Sequence, residues 1–104
     1  MPHFVCRLVP PRPSFPFDMT EQEREVMGAH FEYLRAKGAE AGSGIVLYGP
    51  VADPEGAYGL MIVEAADADA VEAVTGPDPA VRAGIGLSYE ILPMMSVAFG
   101  RAGT

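Results

Sequence analysis

Apolar positions alternate over His3–Val9. Phe4, Cys6 and Leu8 point one way, and His3, Val5, Arg7 and Val9 the other, the period-two signature of a strand. Residues 19–38, MTEQEREVMGAHFEYLRAKG, switch to the helical period, with Val26, Met27, Phe31 and Leu34 defining a buried stripe. Thr20 is the N-cap of this helix, and Glu23, three residues on, completes a capping box. Gly38 stops it behind Arg35 and Lys37, whose charge suits the end of the helix dipole. His30 stands four residues from both Val26 and Leu34, on or beside the stripe, where an aliphatic residue is expected. Ile45–Val51 is a short, nearly continuous apolar strand, and residues 52–57 form a hairpin loop. Tyr58–Glu64 is a third strand, whose unbroken apolar content predicts burial on both faces. Residues 65–74 read as an alanine-rich helix with Asp67 as a cap. Gly76-Pro77-Asp78-Pro79 breaks it, and Asp78 caps a short turn with Pro79 at the first helical position. The last strand runs from Leu87 to about Phe99, interrupted by Pro93, and residues 100–104 are expected to fray.

Between the first strand and the long helix lies PPRPSFPFDM, residues 10–19, whose four prolines forbid regular structure. Two readings stand side by side: a stiff connector whose Phe15 and Phe17 cover the sheet edge, and a lid that carries Arg12 to an acidic group of a ligand.

The order strand, helix, strand, strand, helix, strand predicts an α+β fold, the ferredoxin-like βαββαβ arrangement. Its four-stranded antiparallel sheet carries both helices on one face. The other face is left bare, with Val5 and Arg7 from the first strand and Ser88, Glu90, Leu92 and Met94 from the last. So half-apolar a face on so small a domain predicts self-association. Two sheets packed face to face would make a dimeric α+β barrel.

Composition narrows the function classes. At 104 residues the chain is one domain, because neither half could hold a core. A net charge of −7, with seven Lys and Arg spread along the chain, argues against a nucleic-acid partner. No apolar run approaches the roughly 20 residues of a membrane span, and no secretion signal is visible. A single cysteine, Cys6, allows no internal disulfide and fits a reducing cytoplasm, as a buried and inert thiol. His3 and His30 are far apart, paired cysteines are absent, and no Gly-rich loop precedes a helix, so neither a metal nor a nucleotide cofactor is expected.

The candidate chemistry centres on His30. An imidazole on a pocket wall would serve as general acid or base near neutral pH. The competing reading is a core histidine with one backbone hydrogen bond. Arg12 is a candidate for binding an acidic group, and Tyr48 or Tyr89 for donating a hydrogen bond.

These features together resemble the YCII-related (YciI-like) family of the dimeric α+β barrel superfamily, across almost the whole chain. The matching stretches are HFEYLRAKG at residues 30–38, GPV at 49–51, the apolar strand running into Glu64-Ala65, and DPAVRAG at 78–84. The opening PPRPSF with MTEQE resembles a subgroup that begins with a Pro-rich, Arg-containing loop. The resemblance implies a homodimer with a small pocket beside the first helix, and a catalytic or ligand-contacting role for the histidine matched by His30. At least one member is a dehydrochlorinase acting on an aromatic ring. The DP motif carries the match onto Asp78. The relatives pair the histidine with an aspartate late in the helix or just after it, where this chain has Glu40 or Ala41 and no aspartate. Asp78 by motif and Glu40 by position are therefore the candidate carboxylates for orienting the imidazole.

Three functions follow. The first is a small-molecule enzyme in which His30 acts as general acid or base, in a cofactor-free elimination or isomerisation on an oxygenated ring. The second is a non-catalytic metabolite-binding or accessory module using the same pocket. The third is a structural dimer with His30 satisfied in the core. A carboxylate within reach of His30 separates the first two, and a ligand-sized cavity lined by His30 excludes the third.

Overall fold

In the computed structural model, which describes residues 1–100, the alternating stretch His3–Val9 is strand β1, at the interior of a four-stranded sheet. Strands β2 (Ile45–Val51), β3 (Tyr58–Glu64) and β4 (Ser88–Pro93) complete it in the order β2-β3-β1-β4, every pair antiparallel. This is the ferredoxin-like order. Cys6 pairs with Met61 on one side and Ile91 on the other, so one face carries Phe4, Cys6, Leu8, Met61, Val63, Tyr89 and Ile91. Helix α2 (Glu21–Ala39) lays Leu34 onto that face, and α3 (Ala68–Thr75) lays Val71 and Val74. A second cluster joins Leu8, Phe15, Ala80 and Leu87 at the end of the sheet where α4 (Pro79–Arg82) sits.

The capping predictions hold. The Glu23 amide donates to Thr20 Oγ1 at 3.1 Å, and the Thr20 amide donates to a Glu23 carboxylate oxygen at 2.8 Å. Asp67 accepts from the Ala70 amide, and Asp78 from the Ala80 amide, each at 2.9 Å. The helix after β3 begins at Ala68 rather than at residue 65, because Asp67 sets its first turn.

Four expectations are corrected. The proline-rich stretch does contain regular structure, the one-turn helix α1 (Phe15–Asp18), with Pro16 in the first turn, where a missing amide leaves no bond unmade. Phe15 from that turn is buried, while Phe17 is 89% exposed. The inward stripe of α2 is Glu23, Met27, His30 and Leu34, and Phe31 lies one step around the helix with half its surface exposed. Strand β3 buries Met61 and Val63 only; Leu60 and Ile62 lie on the face the helices leave open. Strand β4 stops at Pro93, which has no amide to donate, although the Met94 amide still reaches the His3 carbonyl.

The open face bears Val5, Arg7, Ser88, Glu90 and Leu92, as the alternation predicts, and Leu47, Leu60 and Ile62 join them. At its centre the Arg7 guanidinium lies 4.2 Å from the Tyr58 ring centroid and 3.3 Å from Glu90. Burial pushes the Cys6 thiol up to about 11. Among the described residues no helix is long and apolar enough to cross a membrane.

Candidate functional site

The capping box fixes the start of α2, and with it the phase of the helix that turns His30 inward, where 5% of its surface is exposed. Asp78, fully buried, enters from the turn between α3 and α4. Its two oxygens lie 2.9 and 2.8 Å from His30 Nδ1, across 48 residues of chain. Oδ1 also accepts from the Ala80 amide, and Oδ2 accepts from the Tyr89 hydroxyl at 2.6 Å. Burial alone would raise the Asp78 carboxyl, but the bonds from His30, Tyr89 and the Ala80 amide outweigh it and hold the carboxyl below its ordinary value. An ionised carboxylate only accepts, so the proton of a neutral His30 sits on Nδ1 and the lone pair on Nε2.

Among the described residues the side-chain hydrogen bonds of His30 are both at Nδ1, and His30 forms part of the wall of a cavity of about 160 Å³ between α2 and the sheet. The strap between β1 and α2 closes one side with Phe15 and Met19, and Tyr48 and Tyr89 bring hydroxyl-bearing rings from the sheet. Gly59, opposite Leu8 on the helix side of the sheet, leaves room there; a Cβ on it would come within 3.2 Å of Leu8. Apart from His30, no acidic or basic side chain among the described residues lines the cavity. Burial and the adjoining Asp78 charge push the Tyr89 phenol up, so it remains a donor.

The structure thus brings together four of the sequence candidates, His30, Asp78, Tyr48 and Tyr89, and leaves Arg12 and Glu40 apart. Arg12 does not line the cavity. Its guanidinium bonds both Glu23 oxygens at 2.9 and 2.7 Å and Asp18 at 2.8 Å, clasping the strap to the first turn of α2. Bonding to Arg12 and to the Thr20 amide draws Glu23 down to about 2. Glu40 is exposed at the C-terminal end of α2, 3.7 Å from Lys37 Nζ, so the carboxylate at His30 is the one supplied by the DP motif. Tyr89 is the residue whose place beside Asp78 the pattern alone could not assign. Its signal, a tyrosine on the inward face of the last strand, is shared by ordinary core tyrosines. Among the described residues no group of three or more His, Cys, Asp or Glu side chains stands ready to hold a metal ion.

The fold is found among solved structures. An uncharacterized protein from Thermotoga maritima superposes with a TM-score of 0.53 at 15% identity, over 89% of this chain and 95% of its own. The 5-chloro-2-hydroxyhydroquinone dehydrochlorinase of Burkholderia phenoliruptrix AC1100, in complex with 2,5-dihydroxybenzoquinone, superposes with a TM-score of 0.56 at 21% identity, over 85% of this chain and 89% of its own. No curated protein matches the chain. Residues 3–95 match the YCII-related domain, nine-tenths of the sequence, and the chain belongs to that family.

Proposed function

We propose that this protein is a cofactor-free enzyme that moves protons on a small oxygenated ring, with His30 as general acid and base. The observation that carries this reading is the pairing at His30. Nδ1 is held by a buried Asp78 whose donors favour its ionised form, while Nε2 is left without a bond and His30 lines the cavity. In the first step Nε2 takes the proton of a ring hydroxyl, and Asp78 stabilises the imidazolium that forms. The electron pair left on oxygen then shifts through the ring, and the imidazolium returns the proton at a ring carbon, which completes an isomerisation. Where that carbon bears an anionic leaving group, Nε2 takes the proton of a second ring hydroxyl, and the electron pair released there expels the anion and leaves a quinone. Elimination and isomerisation share this first step. Tyr48, a residue of the cavity wall, would donate a hydrogen bond to a second oxygen.

The cavity supports a ligand of this size, since a void of about 150 Å³ accommodates benzene. The dehydrochlorinase of like fold, held with a dihydroxybenzoquinone, supports the class of ligand. The open sheet face supports a homodimer as the working form.

The test is thermal melting and titration calorimetry with 2,5-dihydroxybenzoquinone, hydroquinone and benzoate. The comparison is wild type against His30→Asn, which keeps a donor near Asp78 and removes Nε2. The quinone or the hydroquinone should raise the melting temperature of wild type and not of the variant. Equal shifts in both would refute a role for His30. Binding that depends on His30, without proton exchange at ring carbons or release of chloride from a chlorinated hydroquinone, would favour the non-catalytic binding module.

A further inference from the structure

Tyr89 touches both the Asp78 carboxylate and the cavity. It stands on β4 opposite Leu8, on the helix-covered face of the sheet. Its hydroxyl donates to Asp78 Oδ2, and the Ala80 amide donates to Oδ1. Each oxygen therefore has its own fixed donor, one from the sheet and one from α4. Two anchors set the plane of the carboxylate, and in that plane both oxygens lie within 2.9 Å of His30 Nδ1. With the amide alone, rotation about the Asp78 Cβ–Cγ bond would carry Oδ2 away. Packing does not require the hydroxyl, since phenylalanine would fill the same space without a buried polar atom to satisfy.

Building on the acid–base reading of His30, we infer that Tyr89 is a positioning residue: its hydroxyl fixes the Asp78 carboxylate in the orientation that keeps the His30 proton on Nδ1 and the Nε2 lone pair toward the cavity. The relay spans three elements, β4 through Tyr89, the α4 turn through Asp78, and α2 through His30. Because the Tyr89 ring is also cavity wall, the residue that orients the base is within reach of whatever occupies the site.

The experiment needs no ligand. Nitrogen NMR of histidine-labelled protein, at a pH where the ring is neutral, reads the tautomer of His30, and carbon NMR follows the Asp78 carboxyl through its titration. Wild type should show the Nδ1–H form. Tyr89→Phe should raise the Nε2–H population about tenfold, the factor set by one lost hydrogen bond of ordinary strength. The same variant should move the Asp78 titration to higher pH. A ring-fluorinated tyrosine at position 89, a stronger donor, should move that titration to lower pH, and it serves where Tyr89→Phe does not fold. Unchanged His30 and Asp78 signals in a folded variant overturn the role of Tyr89. A wild-type His30 with its proton on Nε2 overturns the acid–base reading itself, so the two failures are told apart.

Discussion

Asp78 does two jobs with one carboxylate. It caps α4 through Oδ1, which accepts from the Ala80 amide, and holds the imidazole with both oxygens. The cap was legible in the sequence from Asp78-Pro79 and the turn signals around it. The bond to His30 was not legible from local pattern, because it depends on where α4 docks against α2; only the family motif favoured Asp78 over Glu40. The two jobs make the residue expensive to replace. Asp78→Asn loses the charge, and one of its amide hydrogens must face a donor already present, so it should cost about 1–3 kcal/mol of stability, measurable by urea unfolding. The pH dependence follows from the direction of the shift. The carboxyl titrates lower in the folded protein than in the unfolded chain. Its contribution is therefore complete above the ordinary aspartate range and is lost as pH falls through the lowered folded value. Wild type should lose stability toward Asp78→Asn on acidification, the gap between them closing at low pH. A gap that stays constant down to pH 2 would contradict the ionised state assigned to Asp78.

Among the elements, the strap of residues 10–19 and the bulged strand β2 decide the shape of the cavity. The strap is pressed into place at two glycines: a Cβ on Gly86 would come within 2.9 Å of Pro11, and one on Gly56 within 3.1 Å of Pro13. Gly86 also has φ of +99°, so Gly86→Ala adds backbone strain to the clash and should cost at least about 1–2 kcal/mol in thermal unfolding. Arg12 closes the strap onto Glu23 and Asp18. The Arg12→Ala variant should leave the sheet intact and speed amide exchange in residues 12–18, with little change in β1 and β3. Glu23 titrates near 2 in the folded protein, below its ordinary value, so the clasp is whole above that ordinary value and opens as pH falls through about 2. Exchange in wild type should therefore accelerate there and converge on that of Arg12→Ala. Strap exchange that ignores both the substitution and the acid would show that packing alone holds it. The sequence shows the prolines but not their glycine seats, which are distant in the chain. It also hid the bulge in β2. The register shift between Ile45 and Leu47 lets Ile45 and Tyr48, three residues apart, face the helix side together. Strict alternation would have sent Tyr48 to the open face, and a bulge of one residue leaves no mark in a run of apolar side chains.

For the whole molecule, the sheet divides two tasks between its faces. The helix side carries the core, the His30–Asp78 pair and the cavity. The other side keeps Leu47 51% and Leu92 54% exposed, flanking the half-buried Val5 and Ile62 in one row across all four strands. A monomer would hold that row against water. A two-fold pairing of sheets that buries about 1,600 Å² in total would remove it, and Arg7, stacked on Tyr58 and ion-paired with Glu90, would enter the interface with its Nε still open to an acceptor. Wild type should therefore sediment at twice the 11.0 kDa mass of the chain at micromolar concentration. Replacing Ile62 with Lys, at the middle of the row, should give a folded monomer. Since the cavity is built from one chain on the far side of the sheet, that monomer should keep any ligand that wild type binds, within a few-fold in affinity. A wild type that sediments at the single-chain mass would refute the dimer. A monomeric Ile62→Lys that has lost the ligand while keeping its fold would show instead that pairing of the sheets shapes the cavity from behind.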